Sequence, residues 1–541
     1  MGHIPASTTP TKTPYKNWPN DAAFESPTTS PTPTPLHIIG TFPPCVSGTL
    51  YRTGPAHYKV TTPNGTYSRH HWFDGFAQIH RFQITHDATD PSSPTRVLYT
   101  SRSQCDELLE EARKGRNLDA YITFGQKRDP CMSYFEKVKC IFRSAEPGHD
   151  RPKMQTVGVT VRPEMPGHPT GRVVALTDNT VAQSMDLETL EPVGVTRQSG
   201  LHPDLKGPIS SAHAAYDPLT GDLYNFNLDF GRSATYRIFC TSSSTGKTSI
   251  LATITGIKPA YIHSFFLSGD FVILCVWPLY FQGYGAAILW ERNIIDALKF
   301  NHHAKCQWFV VDRKGGRGFV ATFESDSFFC FHTVNAFQEE VGGAEGDGVD
   351  VFCDIVQFKD DHVMRNLYYE NVLSTGSGVA PHEAARPTIV RYKLANIPKT
   401  GRKQGVSPVD VIKTIEEAVE LPTINPNFAT KRQRYVYGIV DRGYSSFVDG
   451  LGKVDLETGE VKYWGMEPKP HTPGEAVFVP DLSRTDECED AGYLLSVVLD
   501  GEKGTSYLVC LDARTMTEVA RAEYDHAIAV GLHGVHLRDK L

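Results

Sequence analysis

The chain has 541 residues, of which 40% are hydrophobic, 11% aromatic and 21% charged. That much apolar material builds a large core and excludes a chain that is disordered throughout. A formal net charge of −8 argues against a nucleic-acid partner held by a basic surface.

In chain order, residues 1–35 are rich in Thr, Pro and Ser, with no apolar period, and read as a disordered arm. From 36 to 541 the pattern reads as one domain. Short β-type runs recur at 48–51, 172–176, 271–277, 308–311, 388–392, 435–440, 475–479 and 493–499. Turn chemistry separates them, as in Asp217-Pro218-Leu219-Thr220-Gly221 and Leu456-Glu457-Thr458-Gly459. Such spacing fits a sandwich array, a barrel or a propeller. No repeat of fixed period chooses among them. Helical signals are few. One covers 103–114. A second covers 129–142, where Tyr134, Phe135, Val138, Ile141 and Phe142 fall on one apolar face among Lys137, Lys139 and Arg143. It reads either as a helix packed on the core or as a basic amphipathic helix, 129–143, resting on a membrane surface.

Eleven cysteines are scattered without a CxxC pair, so no thiolate zinc site is expected. Nothing resembles a signal peptide, and the most apolar stretch, 271–289, is broken by Pro278 and Gln282. The expectation is a cytoplasmic, reduced protein, with possible peripheral membrane contact. No motif specifies an oligomeric state.

Of 21 histidines, His213, His263, His332 and His533 stand in apolar or small-residue surroundings. Burial favours neutral imidazole, which is also the form that binds metals. Taken singly, each reads as a hydrogen-bonded core histidine before it reads as a ligand. Gaps of 50, 69 and 201 residues match no local metal motif. Ligands so dispersed can converge only where strands from different blades meet on one axis, as in a propeller.

Several segments stand out together. They are the opening run Gly48-Thr49-Leu50-Tyr51-Arg52-Thr53-Gly54-Pro55, then His71-Trp72-Phe73-Asp74-Gly75-Phe76 with His80-Arg81-Phe82, and Phe331-His332-Thr333-Val334-Asn335-Ala336-Phe337. Further on come Glu420-Leu421-Pro422-Thr423-Ile424-Asn425, Glu475-Ala476-Val477-Phe478-Val479-Pro480 and Gly531-Leu532-His533-Gly534. In this order they resemble the carotenoid cleavage oxygenase family, from about Gly40 to the C-terminus. The resemblance implies an all-β fold, a seven-bladed β-propeller capped by a helical and loop dome. It implies Fe(2+) on the axis, held by His213, His263, His332 and His533, with dioxygen (O2) as cosubstrate. Family carboxylates behind the ligands match Glu420 and Glu475. Asp178 stands where the family has glutamate, a shorter reach that a water could bridge.

The implied reaction is oxidative cleavage of a conjugated C=C bond in a lipophilic polyene, giving two carbonyl products without an organic cosubstrate. No residue beyond the iron centre is singled out as catalytic. Tyr121, Phe124, Trp277, Phe281, Phe331 and Phe337 are candidates for an aromatic-lined substrate tunnel. Family substrates include carotenoids, apocarotenals and stilbenes. The stretch Thr123-Phe124-Gly125-Gln126-Lys127-Arg128-Asp129 resembles fungal torulene and apocarotenoid oxygenases, and Val157-Gly158-Val159-Thr160-Val161-Arg162 lacks the lysine expected of a stilbene cleaver. A carotenoid or apocarotenoid is therefore the expected substrate. A stilbene cleaver, a non-cleaving retinoid-type isomerase and a non-catalytic polyene carrier are the alternatives.

Overall fold

The computed structural model describes residues 18–86, 95–116, 118, 121–129, 132–141, 151–231, 233–341, 348–377, 385–416, 418–483 and 488–539. Among these residues, seven sheets of four to six strands follow one another along the chain as the blades of a β-propeller. All strand pairs within the blades are antiparallel except Phe319–Ser325 with Val406–Pro408.

Blade 1 contains Gly48–His57, Phe76–Thr85 and Arg96–Ser103, and it is completed by the last strand of the chain, His533–Arg538. Blade 2 runs from Thr160–Pro163 to Pro192–Arg197, and blade 3 from Ile209–Ser210 to Thr248–Ile257. Blade 4 opens with Phe266–Leu267, blade 5 with Phe329–Glu340, blade 6 with Glu420–Thr423 and blade 7 with His471–Pro473 and Val477–Pro480. Both chain ends lock the ring. Gly48–His57 pairs with His533–Arg538, setting Thr53 opposite His533, and His37–Gly40 adds an outer strand to blade 7 along Thr517–Tyr524.

The cores lie between blades, because successive side chains of a strand face opposite sides. In blade 2, Val173 and Ala175 pack against Tyr51 and Ile79 of blade 1, while Val174 packs with Leu223 and Phe239 of blade 3. The same alternation puts Leu495 and Leu508 of blade 7 against Leu50 and Phe82 of blade 1, and Leu494 and Val509 against Tyr437 and Leu451 of blade 6. A strand buried on both faces reads as a continuous apolar run, as Phe271–Val276 does.

Three long insertions build the dome. The segment after blade 1 carries the helices Asp106–Arg113 and Tyr134–Ile141. An insertion in blade 4 carries Ala286–Glu291 and Ile294–Ala297, and one in blade 5 carries His362–Asn366 and Tyr369–Val372. Isolated backbone bridges tie the first insertion to the second, Thr123 with Asn293, and the connection between Gly48–His57 and Phe76–Thr85 to the third, His71 with Tyr368. The helix expected at 103–114 forms over Asp106–Arg113, with Asp106 and Glu107 in its first turn, Arg113 in its last, and Leu108, Leu109 and Ala112 buried. The one expected at 129–142 forms over Tyr134–Ile141; Phe142 and Arg143 lie outside the described residues.

One expectation is corrected. Residues 18–35 do not form a disordered arm. Phe24 is buried against Trp72, Tyr369 and Phe447, Asn20 donates from Nδ2 to the Val372 carbonyl at 2.9 Å, and Thr34–Pro35 pairs with Arg96–Ser103. A Thr/Pro-rich composition hides these anchors because only a few apolar side chains, well spaced, hold the segment down.

Candidate metal centre

Four imidazoles from different blades meet at one end of the first, axis-side strands. His213 lies between Ile209–Ser210 and Ala215–Tyr216 of blade 3, and His263 lies three residues before Phe266, where the first strand of blade 4 begins. His332 sits in Phe329–Glu340, where the register with Gly348–Phe358 shifts between Cys330 and Thr333, an irregularity that re-aims side chains. His533 begins the closing strand. Its approach depends on Gly531 at φ +65° and on Gly54, where a Cβ would come within 2.5 Å of the Gly531 Cα.

The ligating nitrogens of all four lie within 4.8 Å of one another. His213 Nε2 is 3.1 Å from His263 Nε2, and His332 Nε2 is 3.2 Å from His533 Nε2. Behind three of them stand carboxylates. His332 Nδ1 donates to Glu420 Oε2 at 2.6 Å and His533 Nδ1 to Glu475 Oε1 at 2.7 Å. His263 Nδ1 is 2.9 Å from both Asp178 oxygens, so the direct contact forms without a bridging water despite the shorter side chain. His213 has no carboxylate partner among the described residues.

Backbone groups fix the carboxylates in turn. Leu421 N donates to Glu420 Oε2 at 2.5 Å from a strained, left-handed conformation at φ +47°. Gly534 N donates to Glu475 Oε2 at 2.7 Å. The buried Arg52 guanidinium holds the Glu475 carbonyl at 2.7 Å and the Val530 carbonyl at 3.2 Å.

The donor set fits a metal cation. Where Nδ1–H is given to a carboxylate, Nε2 carries a lone pair and no proton. The Nε2 atoms of His332 and His533 then face each other as two acceptors, 3.2 Å apart, an arrangement that a cation between them relieves. Burial and the three neighbouring imidazoles hold the His213 pKa well below its usual value, and burial lowers that of His533 although Glu475 opposes the shift. Both effects keep the rings neutral and ligating.

Of the aromatic residues expected at a substrate tunnel, two lie beside this cluster. The Phe331 ring is 5.4 Å from His263, and Phe124 of the dome packs on Tyr261 at 5.9 Å. Phe73 links them, 5.8 Å from Phe331 and 5.0 Å from Phe124. The remaining candidates have other neighbours. Trp277 packs on Phe328 and Phe329, Phe281 on Phe230, and Tyr121 against the core that includes Asp106–Arg113. Phe337 stacks on Phe352 at 4.9 Å, with the Arg391 and Arg432 guanidinium groups over it.

Sequence reasoning missed four contributors. Tyr261 donates its hydroxyl to Asp178 Oδ2 at 2.6 Å. Asp74 accepts the backbone N–H groups of Phe124 and Gly125 at 2.6 and 2.7 Å, pinning the dome loop. Phe73 and Arg52 complete the set. All but Tyr261 sit in segments singled out above for their motifs; Tyr261 precedes His263 by two residues, on the same face of an extended chain.

Comparison with known proteins agrees with this architecture. The family model described as retinal pigment epithelial membrane protein matches residues 24–538. A carotenoid dioxygenase from Neurospora crassa is 40% identical, covering 97% of this chain and 92% of its own length. A torulene dioxygenase from Gibberella fujikuroi is 38% identical, covering 97% and 94%. Among solved structures, a variant of the Synechocystis apocarotenoid oxygenase superposes with a TM-score of 0.73 over 97% of this chain and 99% of its own, at 21% identity, a likeness of fold. By sequence and by fold, the chain belongs to the carotenoid cleavage oxygenase family.

Proposed function

We propose that His213, His263, His332 and His533 bind one Fe(2+) and that the chain uses O2 to cleave a conjugated C=C bond of a carotenoid or apocarotenoid, a torulene-like polyene, into two aldehydes. The observation that carries this reading is the convergence of four imidazoles whose Nε2 atoms face one point while three Nδ1 atoms are committed to carboxylates. The names of relatives at 38–40% identity supply the substrate class.

Imidazole is a suitable donor for ferrous iron. Bound there, the iron supplies the site at which O2 is made reactive toward an alkene. The protein's own residues do the rest. Asp178, Glu420 and Glu475 fix the tautomer of their histidines and raise the basicity of Nε2. Three carboxylates also offset the charge of a dication in a buried site. Phe73, Phe124 and Phe331 present an apolar, aromatic wall on the dome side of His263, which suits a polyene and excludes water. One alkene and one O2 balance to two carbonyl groups, each carbon gaining one oxygen atom.

A polyene dissolves in membrane, so the substrate entrance should touch one. On the dome, Tyr134–Ile141 packs against Ala286–Glu291, and the exposed apolar side chains there include Phe135, with Lys139 over its ring, and Leu289, with Tyr284 in the preceding turn. This part of the dome suits peripheral contact with a lipid surface. No helix among the described residues is long and apolar enough to cross a membrane.

The test is aerobic incubation of Fe(2+)-loaded protein with torulene, β-carotene, an apocarotenal and resveratrol, with products read by mass. Aldehydes from the polyenes are expected. Hydroxybenzaldehydes from resveratrol alone, or isomers formed without oxygen uptake, would contradict the assignment.

A further inference from the structure

The three carboxylates behind the histidines are not held alike. Glu420 and Glu475 each meet their imidazole through one oxygen and take a backbone N–H on the carboxylate. Asp178 meets His263 with both oxygens at once, each 2.9 Å from Nδ1. Its oxygens are each steadied by a donor of their own, Oδ1 by the Ala212 N–H at 3.2 Å and Oδ2 by the Tyr261 hydroxyl at 2.6 Å. It alone of the three has a side-chain hydroxyl as a partner among the described residues.

We propose that Tyr261 is a positioning residue for the metal centre, and that its hydroxyl is required because the carboxylate at 178 is an aspartate. This rests on the metal-centre reading above. A carboxylate on a short arm has one methylene less with which to adjust its reach and angle. An imidazole sharing both oxygens can be satisfied over a range of carboxylate rotations, so the contact alone does not fix the ring. A 2.6 Å hydrogen bond from Tyr261 to one oxygen removes that freedom. Tyr261 is itself rigid. It is buried, its N–H donates to the Leu279 carbonyl at 2.9 Å, and its ring contacts Phe124 of the dome. Its hydroxyl also lies 3.4 Å from His263 Nδ1, on the flank of the contact it steadies. The chain Phe124–Tyr261–Asp178–His263 thereby joins the substrate-side wall to one ligand.

The test is a double-mutant cycle over Tyr261→Phe and Asp178→Glu in the full-length protein. The readouts are cobalt(II) affinity by chelator competition and the cobalt ligand-field absorption spectrum, neither of which needs turnover. Tyr261→Phe should weaken cobalt binding about tenfold, within the range typical of residues that orient ligands, and shift the absorption bands. In the Asp178→Glu background the same change should cost under about threefold and leave the bands in place, because the longer arm takes up the adjustment. Thermal unfolding of the metal-free proteins checks that all four fold. An equal loss in both backgrounds, or no loss in either, would overturn the proposal while leaving the metal centre standing. Wild-type protein that binds no cobalt would overturn the centre and the proposal together.

Discussion

A buried imidazole is used in two ways in this protein, as a structural group and as a proposed ligand. His71 accepts the Phe73 N–H on Nδ1 and donates from Nε2 to the Met364 carbonyl at 2.8 Å, so both nitrogens are committed to structure. His80 meets the Tyr99 hydroxyl through Nδ1 at 2.9 Å, has no hydrogen-bond partner at Nε2 among the described residues, and lies near Arg52. Three of the proposed ligands, His263, His332 and His533, give Nδ1 to a carboxylate, and all four turn Nε2 toward the shared cluster. Nothing local in the sequence draws that line: His71 sits in as distinctive a run as His332, and the four ligand positions are recognisable only through family resemblance. The direct reach of Asp178 and the role of Tyr261 were illegible because both depend on how blade 2 meets blade 4. Burial pushes the pKa values of His71 and His80 down to about 3, well below the ordinary value near 6.5. Between those limits the unfolded chain binds protons that the folded chain refuses. Stability is therefore full above pH 6.5 and falls as pH drops toward 3. His80→Gln should remove about one proton from that dependence, near 1.4 kcal/mol per pH unit, in denaturant titrations from pH 6.5 to 4. An unchanged slope would contradict the burial argument.

At the scale of elements, strands were more legible than the dome. Runs such as Arg172–Leu176 and Tyr435–Val440 appear where β-branched and aromatic residues are bounded by turn residues. The dome has little period of its own and is held by particular contacts. Asp74 is the clearest. It is buried, burial raises its pKa against the pull of Arg69, and its two oxygens take consecutive N–H groups of the loop bearing Phe124. Asp74→Ala leaves those donors without their acceptor, at about 1–3 kcal/mol each where water cannot reach. Expected are faster proteolysis within 121–129 and reduced turnover of a polyene, with metal content unchanged. Metal loss in parallel would instead place Asp74 in the centre itself. The helix Tyr134–Ile141 has the opposite problem, an apolar side chain with no cover: Phe135 is 66% exposed. Phe135→Ser should lower binding to liposomes more than it lowers turnover of a detergent-solubilised substrate. Unchanged liposome binding would remove this edge from the membrane contact.

For the whole molecule, ring closure is what makes the site possible. Histidines as far apart in sequence as His213 and His533 meet because each lies on or beside the axis-side strand of its own blade, and the ring is closed where the C-terminal strand pairs with Gly48–His57 of blade 1. That closure leaves no repeat in the sequence. The blades differ in strand number, and blades 4 and 5 carry long insertions between their second and third strands, so the period is lost while the geometry is kept. The most direct test of the account is the iron content of purified, Fe(2+)-reconstituted protein, wild type beside His332→Ala, with circular dichroism and thermal unfolding as checks on the fold. One iron per wild-type chain is predicted, with iron lost from a folded His332→Ala protein. Full iron occupancy in that variant, or none in the wild type, would contradict the four-histidine centre.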